Sequence, residues 1–91
     1  MTNEARRTDL STAAEQVKEI WKNVLNVPEI TADDTFFALR GQSISAVRIL
    51  ARIEDELGVE IEMRELFEDP DLATFTEVVV AQLATPERRT A

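Results

Sequence analysis

The residue best placed to do chemistry is Ser43, in the stretch Phe36-Phe37-Ala38-Leu39-Arg40-Gly41-Gln42-Ser43-Ile44. Its hydroxyl falls at the expected mouth of a helix, in a chain with no cysteine and no histidine. A serine nucleophile needs a general base, and the only two lysines, Lys18 and Lys22, lie in a different segment. Catalysis by Ser43 itself is therefore disfavoured. A covalently attached phosphate, by contrast, suits the position. A helix N-terminus presents unpaired backbone N–H groups and about half a positive charge to an anion. Gly41 is expected to let the preceding backbone turn tightly and leave the hydroxyl accessible. Serine is also a common N-cap residue, so a plain structural cap is the competing reading of the local pattern.

The elements that must hold this hydroxyl read as helices. Two glycines and three prolines leave few breakers, and 44% hydrophobic residues are enough for one small folded core. A first helix is expected from the capping-box spacing Thr12-Ala13-Ala14-Glu15, with Val17, Ile20, Trp21, Val24 and Leu25 as its buried stripe. A loop from Val27 to Gln42 follows, long for so small a chain and therefore a functional candidate. Ile30, Phe36, Phe37 and Leu39 are expected to pin it to the core. Asp33-Asp34 lacks the acid ladder and glycine of a calcium loop, so Asp34 reads as a turn or cap residue.

A second helix runs from about Ser43 to Leu57 and stops at Gly58. Ala46, Ile49, Leu50, Ile53 and Leu57 share its inner face, whereas Ile44, Val47 and Ala51 project sideways and should be partly exposed. Val59-Glu60-Ile61 is an extended link to a brief helix at about Met63–Phe67, closed by Pro70. The last helix is expected to open at the Thr74-Phe75-Thr76-Glu77 capping box. The result is an all-α domain: a small bundle of three long helices and one short one over residues 11–84. Residues 1–10 and 85–91 read as flexible polar tails.

Charge narrows the function classes. The net charge is −8, and nine acids against Arg64 alone crowd the stretch from Glu54 to Asp71. A polyanion is repelled from such a surface, which argues against nucleic acid as a partner. Acidic surface steers encounters with basic patches on proteins, although solubility alone could account for the run. No apolar run approaches a membrane span, and residues 1–7 lack the core of a secretion signal, so a cytoplasmic protein with no membrane partner is expected.

The Phe36–Ile44 stretch resembles the phosphopantetheine attachment motif of carrier proteins, in the F-F-x-L-G-G-x-S-[LI] form of the peptidyl carrier proteins (thiolation domains) of nonribosomal peptide synthetases. Leu57-Gly58-Val59-Glu60-Ile61, followed by Arg64-Glu65-Leu66-Phe67-Glu68 and Pro70, resembles the family's link between its second and third helices. The likeness covers about residues 13–84 and implies an acyl-carrier-type bundle without catalytic residues. It further implies 4′-phosphopantetheine, donated by coenzyme A, on Ser43. A magnesium-dependent phosphopantetheinyl transferase would install it, an adenylation enzyme would load an aminoacyl or related group as a thioester, and condensation or tailoring enzymes would take it up. Gln42 stands where fatty-acid and many polyketide carriers have aspartate, which favours the peptidyl branch. An acyl carrier for fatty-acid or polyketide chains is the alternative, and an unmodified acidic adaptor a further one.

The initial Met1 and short tails suggest a free-standing (type II), monomeric carrier, with an excised domain as the competing explanation. Ile44, Val47, Arg48, Met63 and Arg40 are the expected docking residues. Arg40 occupies the place of the motif's first glycine. If that position takes a positive φ, arginine strains the loop or forces another turn.

Overall fold

Among the described residues the periodicities above build four helices: α1 Thr2–Leu25, α2 Ser43–Leu57, α3 Arg64–Phe67 and α4 Leu72–Ala84. The coordinates are a computed structural model that describes the backbone of residues 2–84 and the side chains of residues 12–84. The expected tail at 85–91 lies outside the described residues. α1 packs against both α2 and α4, so its apolar stripe is central. Val17, Ile20 and Trp21 are wholly buried, and Val24 and Leu25 pack partly against the core.

Two expected helix starts are corrected. α1 begins at Thr2 rather than Thr12, so residues 2–10 are helix and not tail. No proline or glycine occurs before Gly41 except Pro28, and nothing in residues 2–11 stops the helix extending past the Thr12 box. α4 begins at Leu72 rather than Thr74. Its cap is Asp71, whose Oδ1 accepts from Thr74 N–H at 2.8 Å. That hydrogen bond stabilises the charged carboxylate and holds the Asp71 pKa below its ordinary value of 3.8.

α2 follows its expected pattern. Ala46, Ile49 and Ile53 are buried, with Leu50 and Leu57 packed partly against them. Gly58 ends the helix in the left-handed region at φ 75°, its N–H donating to Glu54 C=O at 2.9 Å. In the link that follows, Val59 and Ile61 turn inward while Glu60 faces solvent, the alternation of an extended segment.

Trp21 is the hub of the core. Its ring meets Phe36 edge-on at 6.0 Å and Phe75 at 5.6 Å. Aromatic pairs of this kind are worth about 0.5–1.5 kcal/mol beyond their area burial. Helix α1, the long loop and α4 are thereby joined at one point.

Candidate functional site

The loop from Val27 to Gln42 is held from two sides. Outside, it is stitched to the α3–α4 junction: Phe36 N–H donates to Pro70 C=O at 3.0 Å, Leu72 N–H to Asp34 C=O at 2.9 Å, and Ala73 N–H to Ala32 C=O at 3.1 Å. Thr35 and Asp71 form an isolated antiparallel bridge, and Phe37 N–H donates to Asp69 Oδ1 at 2.9 Å. Asp34 closes a local turn by accepting from Thr31 N–H at 2.8 Å. Inside, Ile30 and Phe36 are buried and Leu39 packs against the core.

Phe37 does not pin the loop as expected. It is 46% exposed, and Phe36 takes the inward place against Trp21. The Phe37 ring instead lies 5.5 Å from that of Phe36, on the outside.

The segment before Ser43 then turns sharply. Arg40 N–H donates to Phe37 C=O and Gly41 N–H to Phe36 C=O, both at 2.9 Å. Arg40 sits at φ 70°, in the left-handed region that costs a non-glycine residue about 1–2 kcal/mol. The arginine is therefore strained where a glycine would not be. Gly41 is needed for a reason other than the one expected, since its backbone is not in the positive-φ region. A Cβ there would collide with Cε1 and Cζ of the Phe36 ring. The glycine is the floor on which that ring lies.

α2 starts directly after this turn. Gln42 is the N-cap residue, extended at φ −138° and ψ 175°, and no side chain caps the helix. The first bond across the boundary runs from Ala46 N–H to Gln42 C=O at 2.8 Å. The amides of Ser43, Ile44 and Ser45 thus precede the helical ladder, and Ser43, exposed, is the first helical residue. This disposes of the plain structural cap: the exposed serine stands one position past the cap residue, Gln42.

Around it the side chains fall as the helical period dictates. Taking Ser43 as zero, Val47, Ala51, Ile44 and Arg48 lie about 40°, 80°, 100° and 140° round the helix. Ile44 is 67% and Val47 51% exposed, and Ala51 and Arg48 are exposed too. Met63 closes the same surface at the start of α3, with 36% of its area open. The structure therefore places Ile44 and Val47 on the flank of α2 beside Ser43, Met63 in one groove with Val47, Arg48 further round the helix toward α1, and Arg40 in the turn before Ser43. A shallow groove of about 690 Å³ continues from Val47 and Ala51 along α2 to Met63 and α4.

Sequence reasoning missed two residues that position the site, Asp69 and Asp71, and the interlock of Phe36 with Gly41. The Asp69-Pro70-Asp71 run, with turn and cap chemistry on both sides of a proline, was the available signal for the first two.

The residues fit a phosphate ester. An exposed primary hydroxyl, unladdered amides at a helix start and no carboxylate anywhere from residue 35 to 53 are what a tethered phosphodiester requires. Among the described residues no cluster could hold a metal ion, and no helix is long and apolar enough to cross a membrane.

Comparison with known proteins agrees with this chemistry. Residues 15–79 match the family described as "Phosphopantetheine attachment site". Tyrocidine synthase 3 of Brevibacillus parabrevis is 45% identical over 65 residues, covering 68% of this chain and 1% of that protein. The chain spans about 1% of the length of the first such relatives it matches. Among solved structures, BlmI, a type-II acyl carrier protein from Streptomyces verticillus involved in bleomycin biosynthesis, is similar with a TM-score of 0.75 and 30% identity, over 88% of this chain and 96% of that one. A peptidyl carrier protein in complex with the phosphopantetheine transferase Sfp and coenzyme A is similar with a TM-score of 0.70 and 29% identity, over 76% and 90% of the two chains.

Proposed function

The chain belongs to the phosphopantetheine attachment-site family, and from that premise we propose that Ser43 carries the arm and that the chain presents an aminoacyl or related acyl group in nonribosomal peptide or similar biosynthesis. The observation that carries the reading is the Ser43 hydroxyl, exposed in the first turn of α2 and free of capping duty. The amides of the first turn stabilise the phosphate ester, and Gly41 with Phe36 fixes the turn that presents it. When attached, the arm supplies the thiol that a cysteine-free chain lacks.

The chain itself is a carrier and not a catalyst. With no histidine and no lysine near Ser43, the base that accepts the hydroxyl proton belongs to the modifying enzyme. A phosphopantetheinyl transferase, an adenylation enzyme and downstream condensation or tailoring enzymes are the proposed partners. The cytoplasm, which holds the coenzyme A, is the proposed compartment, and the monomer the proposed working form. Ile44, Val47, Arg48 and Met63, with Arg40 beside them, form the docking surface. It is a small mixed patch suited to partners that bind and leave quickly, in interfaces below about 1,200 Å².

The test is direct. Incubation with coenzyme A, magnesium and Sfp should add one phosphopantetheine by intact mass. Ser43→Ala should abolish the gain and Ser45→Ala should keep it. No gain with several transferases would refute carrier function and leave an acidic adaptor.

A further inference from the structure

Arg40 is a cation that the fold itself leaves unused. It is exposed, stands three residues before Ser43, and among the described residues forms no ion pair and no side-chain hydrogen bond. Arg52 and Arg64, by contrast, are paired with Glu56 at 2.7 Å and Glu62 at 3.0 Å. Carboxylates do lie against the loop, but each already holds a backbone amide. Asp34 accepts from Thr31 N–H at 2.8 Å, Asp69 from Phe37 N–H at 2.9 Å and Asp71 from Thr74 N–H at 2.8 Å. None of the three pairs with Arg40.

The backbone that carries this arginine is braced. Its own N–H and that of Gly41 donate to Phe37 and Phe36 C=O, both at 2.9 Å, and Ala46 N–H closes the start of α2 on Gln42 C=O at 2.8 Å. The Phe36 ring leaves no room for a side chain at Gly41. Arg40 and Ser43 are thus two points of one fixed turn, their Cα atoms at most about 10 Å apart by chain length. A long arginine side chain and a phosphate esterified to Ser43 can span that interval from its two ends. The guanidinium fork matches two phosphate oxygens at once, as a lysine ammonium cannot. The left-handed φ of 70° at Arg40 fits the same role, because strain of this kind persists where surrounding structure enforces it and gathers at ligand clamps.

Resting on Ser43 as the attachment residue, we infer that Arg40 is a clamp for the phosphodiester of the attached arm, its guanidinium holding the two non-bridging oxygens and so setting the direction in which the arm leaves the helix. The ester supplies the counter-charge that Arg40 lacks in the unmodified chain. Attachment and the Arg40 side chain then stabilise one another reciprocally. Arg40 touches no reacting atom of the cargo; it is a positioning residue.

The experiment compares thermal melting of the unmodified chain with that of the chain modified by Sfp and coenzyme A, in the parent, Arg40→Gln and Arg40→Lys. Glutamine retains the strained backbone and removes the charge. Modification should raise the parent Tm by about 1–5 °C more than it raises that of Arg40→Gln, as an exposed charge-assisted pair requires. Arg40→Lys should keep part of that difference, and salt at about 1 M, where the screening length is about 3 Å, should erase it. The 31P line of the modified chain should narrow in Arg40→Gln as the phosphate gains freedom, a readout that a merely structural role would not move. Equal Tm increments in the parent and Arg40→Gln, or an unchanged 31P linewidth, overturn the clamp. An unchanged linewidth with slower loading of Arg40→Gln by Sfp would assign the arginine to a partner's carboxylate instead. Failure of the mass gain sinks attachment itself, whereas a full gain with equal increments sinks the clamp alone, so the two failures are distinct.

Discussion

Replacing Gly41 with alanine isolates the contact that shapes the turn before Ser43. The added methyl would collide with Phe36 Cε1 and Cζ and lie 2.6 Å from Cδ1. Carbon atoms settle at about 3.5–4.0 Å, so the ring must retreat by about 1 Å. It has nowhere to go, being fully buried and edge-on to Trp21 at 6.0 Å. Overpacking of this kind costs about 1–3 kcal/mol, and alanine recovers about 0.4–1 kcal/mol by restricting the unfolded chain. The net expectation is a loss of about 1–2 kcal/mol. For a domain of this size that lowers Tm by about 4–16 °C. Trp21 is the only tryptophan and is fully buried, so its fluorescence in urea reports the change. Shrinking the ring relieves the clash: Phe36→Leu combined with Gly41→Ala should be less destabilised than the sum of the single changes by about 1 kcal/mol. A loss in Gly41→Ala below about 0.5 kcal/mol, or strict additivity in the double variant, would refute the interlock.

Three further outcomes follow from the same coordinates. Arg40→Gly removes the left-handed strain at φ 70°, and after the entropic cost of glycine in the unfolded chain should stabilise by about 0.5–1 kcal/mol; Arg40→Ala, which retains the strain, should not raise Tm. Val47→Glu places a charge on the exposed strip, so it should slow loading by Sfp about tenfold through KM while shifting Tm by less than about 4 °C; a larger drop would mean that Val47 is core. Asp71→Asn tests the α4 cap. The folded pKa of Asp71 is lowered, its largest cause being the hydrogen bond from Thr74 N–H, so its charge contributes stability above the ordinary value of 3.8 that is lost as pH falls through the folded value. The variant should therefore melt lower than the parent at pH 7 and converge with it as pH falls below the ordinary value of 3.8 and through the folded one; a constant Tm difference would refute the assignment.

What could be read from sequence was whatever repeats locally. The α2 stripe of Ala46, Ile49 and Ile53, its stop at Gly58 and the exposure of Ile44 and Val47 all follow from a 3.6-residue period and a single glycine. The helix starts were less legible. A capping box marks where a helix can begin, and Thr12 is bypassed because the residues before it are equally able to be helical, whereas Asp71 outcompetes Thr74 by capping three residues earlier. Arg40 was legible as a question, since a departure from a glycine position announces strain only if the backbone is left-handed there.

The loop resisted the same treatment because its order is long-range. Phe36 and Phe37 are the same residue type side by side, and no local pattern states which is buried. The choice is made by backbone bonds from Phe36 and Phe37 to Pro70 and Asp69, more than thirty residues away in sequence. Those bonds fix how the loop lies against the α3–α4 junction, that placement selects the face each ring takes, and the inward ring then demands a glycine at 41. Ser43 is two residues further on, so its presentation depends on a junction between α3 and α4 that never touches the hydroxyl. A change at Asp69 should consequently alter modification of Ser43 without altering α2 itself, and the amide shifts of residues 36–43, compared with those of 46–57, would show whether the disturbance travels along that route.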